Sequence, residues 1–235
     1  MKAMILAAGR GERMRPLTDA TPKPLLSVGG KPLIEWHIEN LARAGFTRIV
    51  INYAHLGHLI KAALGNGSRF GTRIHYSPET EALETAGGIA HALPLLGKEP
   101  FLVVNGDIFI DYDFSRAREI ALAMRANPEL FAAYLVLADN PPHHAQGDFA
   151  LEHSLVKRKG KPMLTFTGVG IYQPDVFRDI APGAKAKLAP LLEKLIDYEL
   201  VRGEHHRARW VDVGTPQRLA ALDYALTHRN ANEVL

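Results

Sequence analysis

The spacing of short apolar runs constrains this chain most. Ala3–Ala8 (AMILAA), Arg48–Tyr53 (RIVINY), Pro100–Asp107 (PFLVVNGD) and Phe131–Ala138 (FAAYLVLA) are too short for helices, and they read as strands buried on both faces. Helical patterns fall between them. Leu33–Gly45 (LIEWHIENLARAG) puts Leu33, Ile34, His37, Ile38, Leu41 and Ala42 on one face, with Gly45 as its stop. A short helix precedes the turn GNGS and the strand Thr72–Tyr76, and Thr85–Leu96 and Ser115–Ala126 are also helical. Strands alternating with helices predict an α/β fold, with a mostly parallel mixed sheet and helices on both faces.

The pattern changes after Asn140. DFALE and MLTFTGVGIY read as hairpin strands separated by the turn KRKGKP. Helices are expected over 188–201 and 216–229, with the strand ARWVDV between them. There is no internal repeat, no linker and no six-residue β-helix repeat. At 235 residues the chain suits a single domain, and the segment after Tyr224 carries no coiled-coil seam.

Composition narrows the partners. Apolar residues make up 47% of the chain, enough for a sizeable core, and the net charge is only +3. Lys and Arg are scattered, without the continuous basic stripe or paired aromatics of a nucleic-acid binder. The absence of cysteine excludes disulfides and thiolate metal sites and fits a reducing cytosol. The opening MKAMILAAG is too short for a signal-peptide core or a membrane span, so a soluble, cytoplasmic protein with no membrane partner is expected.

The loop after the first strand, GRGERMRPLTDATPKP, holds Arg10, Arg13, Arg15 and Lys23 among Pro16, Pro22 and Pro24. In parallel sheets ligands sit beyond the carboxyl ends of the strands. Gly9 and Gly11 let backbone N–H groups approach a ligand, and the prolines remove part of the ordering entropy. Arginine and lysine at this density suit phosphate oxygens, so the loop reads as a triphosphate cradle. It is not the dinucleotide fingerprint, because Met14 stands where the third glycine belongs, and no Gly-Lys-Ser/Thr occurs.

Leu6-Ala7-Ala8-Gly9-x-Gly11-x-Arg13-x-x-Pro16-Leu17-Thr18 with Pro22-Lys23-Pro24-Leu25 resembles the signature of the sugar-1-phosphate nucleotidyltransferases. The resemblance spans essentially the whole chain. It implies one Rossmann-like domain over 1–235, with a nucleotide-binding half (1–138) and a sugar-binding half (139–235). It also implies Gly11, Glu12, Arg13 and Lys23 on the nucleotide, and Arg15 and Lys23 as catalytic groups.

Two carboxylates stand out. Asp107 ends FLVVNGD, and Asp212 lies in WVDVGT, where alternation puts Trp210, Asp212 and Gly214 on one face. Two aspartates at strand ends suit Mg²⁺, which takes few carboxylates plus phosphates and water. Asp212 also has an ordinary reading, as a cap ahead of Thr215-Pro216. The family resemblance implies that both are metal ligands.

A sugar phosphate is mostly dianionic at neutral pH, its second pKa lying near ~6, so no general base is required. No Ser/His/Asp constellation is evident. Catalysis then reduces to positioning and charge neutralisation, with Arg13 and Arg15 on the departing pyrophosphate and Lys23 near the α-phosphate. A non-catalytic nucleotide-binding subunit could dispense with Arg15, Lys23, Asp107 or Asp212; all are present.

Asn105 and Asp148 are the expected sugar contacts. Leu83-Glu84-Thr85-Ala86-Gly87-Gly88 resembles the family segment near base and ribose, with Glu84 where glycine is usual. The family's Glu-Lys-Pro is missing; KRKGKP takes its place and reads as a solvated hairpin tip. Asp139–Phe149 (DNPPHHAQGDF) puts the resemblance nearest to members that join UTP to N-acetylmuramate 1-phosphate. Glucose-1- or mannose-1-phosphate with UTP, dTTP or GTP is the alternative. His143, His144, His205 and His206 read as surface or rim residues, because adjacent histidines diverge.

Overall fold

The computed structural model describes residues 1–228. The first half runs β1 (Ala3–Leu6), α1 (Leu17–Ala20), β2 (Ser27–Val28), β3 (Lys31–Pro32), α2 (Leu33–Arg43), β4 (Arg48–Tyr53), α3 (Gly57–Leu64) and β5 (Arg73–Pro78). It continues with α4 (Glu84–Leu96), β6 (Phe101–Asn105), β7 (Ile108–Ile110), α5 (Arg116–Ala126) and β8 (Ala133–Ala138). The remainder is β9 (Phe149–Glu152), β10 (Leu155–Lys157), β11 (Met163–Tyr172), α6 (Leu188–Asp197), β12 (Val201–His206), β13 (Trp210–Asp212) and α7 (Pro216–Thr227).

Nine strands form one mixed sheet in the order β5-β4-β1-β6-β11-β8-β12-β10-β9. The run β5-β4-β1-β6 is parallel, as is β12 against β8; the other pairings are antiparallel. Because β9 also pairs with β11, the strands β11, β8, β12, β10 and β9 close into a ring.

Alternation along the parallel strands builds the two cores. Ala3, Ile5, Ile49, Ile51, Leu102 and Val104 face α2, α3 and α5. Met4, Val50, Phe101 and Val103 face α4 and α6. Each fully buried Ile, Leu or Phe contributes roughly 1.5–3 kcal/mol by leaving water. Helix α2 ends as its sequence dictates. Gly45 takes φ 78°, Phe46 N–H donates to Leu41 O and Gly45 N–H to Ala42 O, satisfying two terminal carbonyls.

Three segments depart from expectation. The helix expected over 188–201 stops at Asp197, and Val201–His206 is a central strand. Its polar spacing conceals it: Val201 and Gly203 are buried, while Glu204 accepts from Tyr112 (2.5 Å) and pairs with Arg116 (2.6 Å). DFALE pairs first with β10 across His153-Ser154, so KRKGKP joins β10 to β11. Its Lys157 and Arg158 pair with Glu199 and with Glu193 and Asp197 of α6. The strand expected over ARWVDV is only Trp210–Asp212, and it pairs with β7 outside the main sheet. Helix α7 is described to Thr227, and its expected end at Arg229 lies outside the described residues. Among the described residues no helix is long and apolar enough to cross a membrane.

Candidate active site

Two clefts open side by side beyond the carboxyl ends of β1 and β6. The first, of about 410 Å³, is lined by the loop after β1 (Gly9, Gly11–Arg13), Lys23, Glu79 and Ala82–Thr85. The second, of about 310 Å³, is lined by His143, His144, Thr165–Thr167, Trp210 and Asp212. Arg13, Asn105 and Asp107 line both.

The Gly-rich loop is held by short-range contacts. Gly11 takes φ 71°, Thr18 Oγ1 donates to Gly11 O at 2.9 Å, and a Cβ at Gly11 would crowd Thr18 and Lys23. Its start is tied to β4 and the opposite rim: Ala7 N–H donates to Asn52 Oδ1 (2.8 Å), Asn52 Nδ2 donates to Glu79 Oε1 (2.6 Å), and Leu83 N–H donates to Glu79 Oε2 (2.9 Å). Glu79 is buried and completely engaged, so it braces the rim of the first cleft.

The glycines of α4 make their close approaches within the protein. A Cβ at Gly87 would lie 2.3 Å from Ala184 O, and one at Gly88 would lie 2.8 Å from Asn52 and Glu79. The cleft is met instead by Ala82–Thr85. Glu84 adopts φ 62° there, the left-handed conformation natural to the usual glycine, and its side chain is exposed.

The β7–β13 ladder brings the two aspartates together. Asp212 is registered against Ile108, and Val213 N–H donates to Asp107 O at 3.0 Å. Val213 and Val211 turn into a small core with Phe109, Val28 and Leu33, which leaves Trp210 and Asp212 facing the second cleft. Thr215, not Asp212, caps α7: its Oγ1 accepts from Arg218 N–H at 3.3 Å. Beneath β7, His37 Nε2–H donates to Ile108 O at 2.8 Å. Burial lowers the His37 pKa to about 4, against weaker opposing effects from the Ile108 carbonyl and the Asp107 charge.

Both carboxylates carry a protein cation. Lys23 Nζ lies 2.5 Å from Asp107 Oδ2, its side chain only 8% exposed. Arg218 Nη1 donates to Asp212 Oδ2 at 2.7 Å and also contacts His143 Nε2. Among the described residues no cluster of three or more His, Cys, Asp and Glu could hold a metal. Asp107 and Asp212 present carboxylate oxygen only, the donor type that Mg²⁺ takes together with phosphate and water, and the described residues add no histidine or thiolate set of the kind zinc takes.

Gly11, Glu12, Arg13, Lys23, Asn105, Asp107 and Asp212 therefore converge on the joined clefts. Arg15 does not. It points outward, with Nε 2.8 Å from Asp19 in the first turn after Pro16. Asp148 lines neither cleft; it accepts from His144 Nε2 (2.9 Å) and Phe166 N–H (2.8 Å), and so supports two residues that do. Asn52, Glu79 and Arg218 were not among the sequence candidates. Asn52 had a signal, a lone amide at the end of an apolar strand. Arg218 had none, because its importance comes from a fold-level contact.

Known proteins resemble this chain along its length. The Nucleotidyl transferase family model matches residues 2–229. An N-acetylmuramate alpha-1-phosphate uridylyltransferase of Neisseria meningitidis serogroup B is 57% identical over 223 residues, 93% of this chain and 95% of that protein. A protein of the same description from Caulobacter vibrioides is 38% identical, covering 93% and 94%. Among solved structures, a Bacillus anthracis protein assigned as a glucose-1-phosphate thymidylyltransferase superposes with a TM-score of 0.82 at 22% identity, covering 97% of this chain and 95% of that one. That likeness concerns the fold.

Proposed function

The chain belongs to the nucleotidyl transferase family, and on that premise we propose that it condenses UTP with N-acetyl-α-muramate 1-phosphate, giving UDP-N-acetylmuramate and pyrophosphate in peptidoglycan recycling. The observation that carries this reading is the placement of Asp107, which lines both clefts, beside Asp212, which lines the second. One cleft offers a phosphate loop and the other a polar, aromatic-rimmed floor. The choice of base and sugar rests on the likeness to the two uridylyltransferases.

The nucleotide takes the first cleft, with its triphosphate along Gly11–Arg13 and Lys23 and its uridine toward Ala82–Thr85. The sugar takes the second, near Asn105, His143, His144 and Thr165–Thr167. The proposal keeps the division expected between residues 1–138 and 139–235, with Arg13, Asn105 and Asp107 serving both clefts. A non-bridging oxygen of the sugar phosphate attacks the α-phosphorus. The bond from that phosphorus to the α,β-bridging oxygen breaks, and pyrophosphate leaves with the electron pair.

Asp107 and Asp212 would hold Mg²⁺, and the ion would supply positive charge against the phosphate oxygens. Lys23, already buried beside Asp107, supplies a fixed positive charge where charge gathers at the α-phosphate. Arg13, which lines both clefts, meets the pyrophosphate. Arg15 reaches the phosphates only if it leaves Asp19. Asp148 reads the sugar through His144, or directly after exchanging that partner.

Pyrophosphate release with Mg²⁺ tests the reading, with UTP, dTTP, GTP, CTP and ATP crossed against muramate-, N-acetylglucosamine-, glucose- and mannose-1-phosphates. Release confined to UTP with N-acetylmuramate 1-phosphate is expected. Preference for another pair overturns the substrate assignment, and silence from folded protein overturns the activity.

A further inference from the structure

Arg218 lies in the first turn of α7, after the Thr215 cap and Pro216, and its side chain is 20% exposed. Its Nη1 holds Asp212 Oδ2 at 2.7 Å. Its Nη2 backs onto Gly214, where an added Cβ would lie 2.4 Å from Arg218 Nη2, 3.0 Å from Arg13 Nη2 and 3.0 Å from Asp212 Oδ1. Two guanidinium groups and one carboxylate thus crowd Gly214, which lines the first cleft, with Arg218 standing directly behind the lining. Asp212 pairs with Arg218, and among the described residues Arg13 has no carboxylate partner, so an incoming phosphate oxygen is the natural complement.

The same contact creates a conflict. Arg218 engages Oδ2 alone, so a divalent cation would enter at the open Oδ1 and bring a second positive charge onto the same partly buried carboxylate, where the two repel. Substrate phosphates remove the conflict, because they give Arg218 another anion to hold.

We propose that Arg218 is a positioning residue that latches Asp212 in the free protein and transfers to a nucleotide phosphate, beside Arg13, when nucleotide and divalent cation enter together. The latch rests on the reading of Asp212 as a metal ligand. Its consequence is that the cation alone binds weakly and the cation–nucleotide complex binds well. A distant positive charge would weaken cation binding in both situations; a latch has opposite signs in the two.

The test is Mn²⁺ binding, followed by the electron paramagnetic resonance of free Mn²⁺, together with the Kd of UTP at saturating Mn²⁺. Arg218→Met should bind Mn²⁺ alone about tenfold more tightly than wild type, yet bind UTP with Mn²⁺ about tenfold more weakly, each the size of one charge-assisted contact. Arg218→Lys should shift both constants in the same directions by less, and it serves if the methionine variant does not fold. Unchanged or weaker Mn²⁺ binding in the nucleotide-free variants overturns the latch. Asp212→Asn should abolish Mn²⁺ binding; wild-type affinity there overturns the latch too, and locates the failure in the assignment of Asp212.

Discussion

Lys23 sits with its ammonium 2.5 Å from Asp107 on a side chain 8% exposed, a charge fixed before any substrate arrives. Its removal should cost the reaction more than the binding. Lys23→Ala is expected to lower kcat at least about a hundredfold, on the scale of one preorganised donor, with a smaller rise in the KM for UTP. Steady-state kinetics check this; near-wild-type turnover would remove Lys23 from the chemistry. Glu84 presents the opposite balance. A glutamate at φ 62° carries a left-handed penalty, so Glu84→Gly should stabilise the fold by up to about 1 kcal/mol in urea denaturation. If the exposed carboxylate meets the nucleotide, the same variant raises the KM for UTP. At this scale the sequence was most informative where a residue acts through its own backbone or charge. The ordered loop, Lys23 and the strand-end aspartates were legible for that reason. Arg15 was equally conspicuous, yet Asp19 four residues on holds it outside the cleft. Arg218 was silent, because its partners lie on β13 and in the loop after β8.

Helix α2 reaches the site through one buried group. Its His37 props β7 from beneath by donating to Ile108 O, next to Asp107. With its pKa lowered from 6.5 to about 4, the folded protein leaves His37 neutral where the unfolded chain takes up a proton. Its contribution to stability is complete above about pH 6.5 and is lost progressively as pH falls toward 4, amounting to about 2 kcal/mol between pH 7 and pH 5. His37→Gln keeps a donor near the Nε2 position without that titration. Urea denaturation at the two pH values should show the drop in wild type and a drop smaller by that amount in the variant; equal drops would contradict it. Elements with a clean period were readable in advance. Helix α2 is one, down to its Gly45 stop, and the parallel strands are others. Strand β12 was not, since VRGEHH has neither an apolar run nor a clear alternation, and only the ring of strands around it makes it a strand.

The whole molecule divides its work between two kinds of sheet. The parallel run β5-β4-β1-β6 ends at the Gly-rich loop, and the closed ring of β11, β8, β12, β10 and β9 gives the second cleft Thr165–Thr167 of β11. Between them, the small β7–β13 ladder fixes two carboxylates that are distant in sequence. The overall α/β class followed from strand and helix spacing. The ring and the ladder did not, because both depend on pairings between segments whose local patterns are ambiguous. On the proposed reading, such a frame brings the two anionic substrates into direct contact, with no protein nucleophile or general base between them. The most direct test uses UTP made chiral at the α-phosphorus by sulfur substitution, with the configuration of the UDP-sugar product read by phosphorus NMR. One in-line displacement by the sugar phosphate predicts inversion at that phosphorus. Retention would require two successive displacements through a covalent protein–nucleotide intermediate, and it would contradict the mechanism.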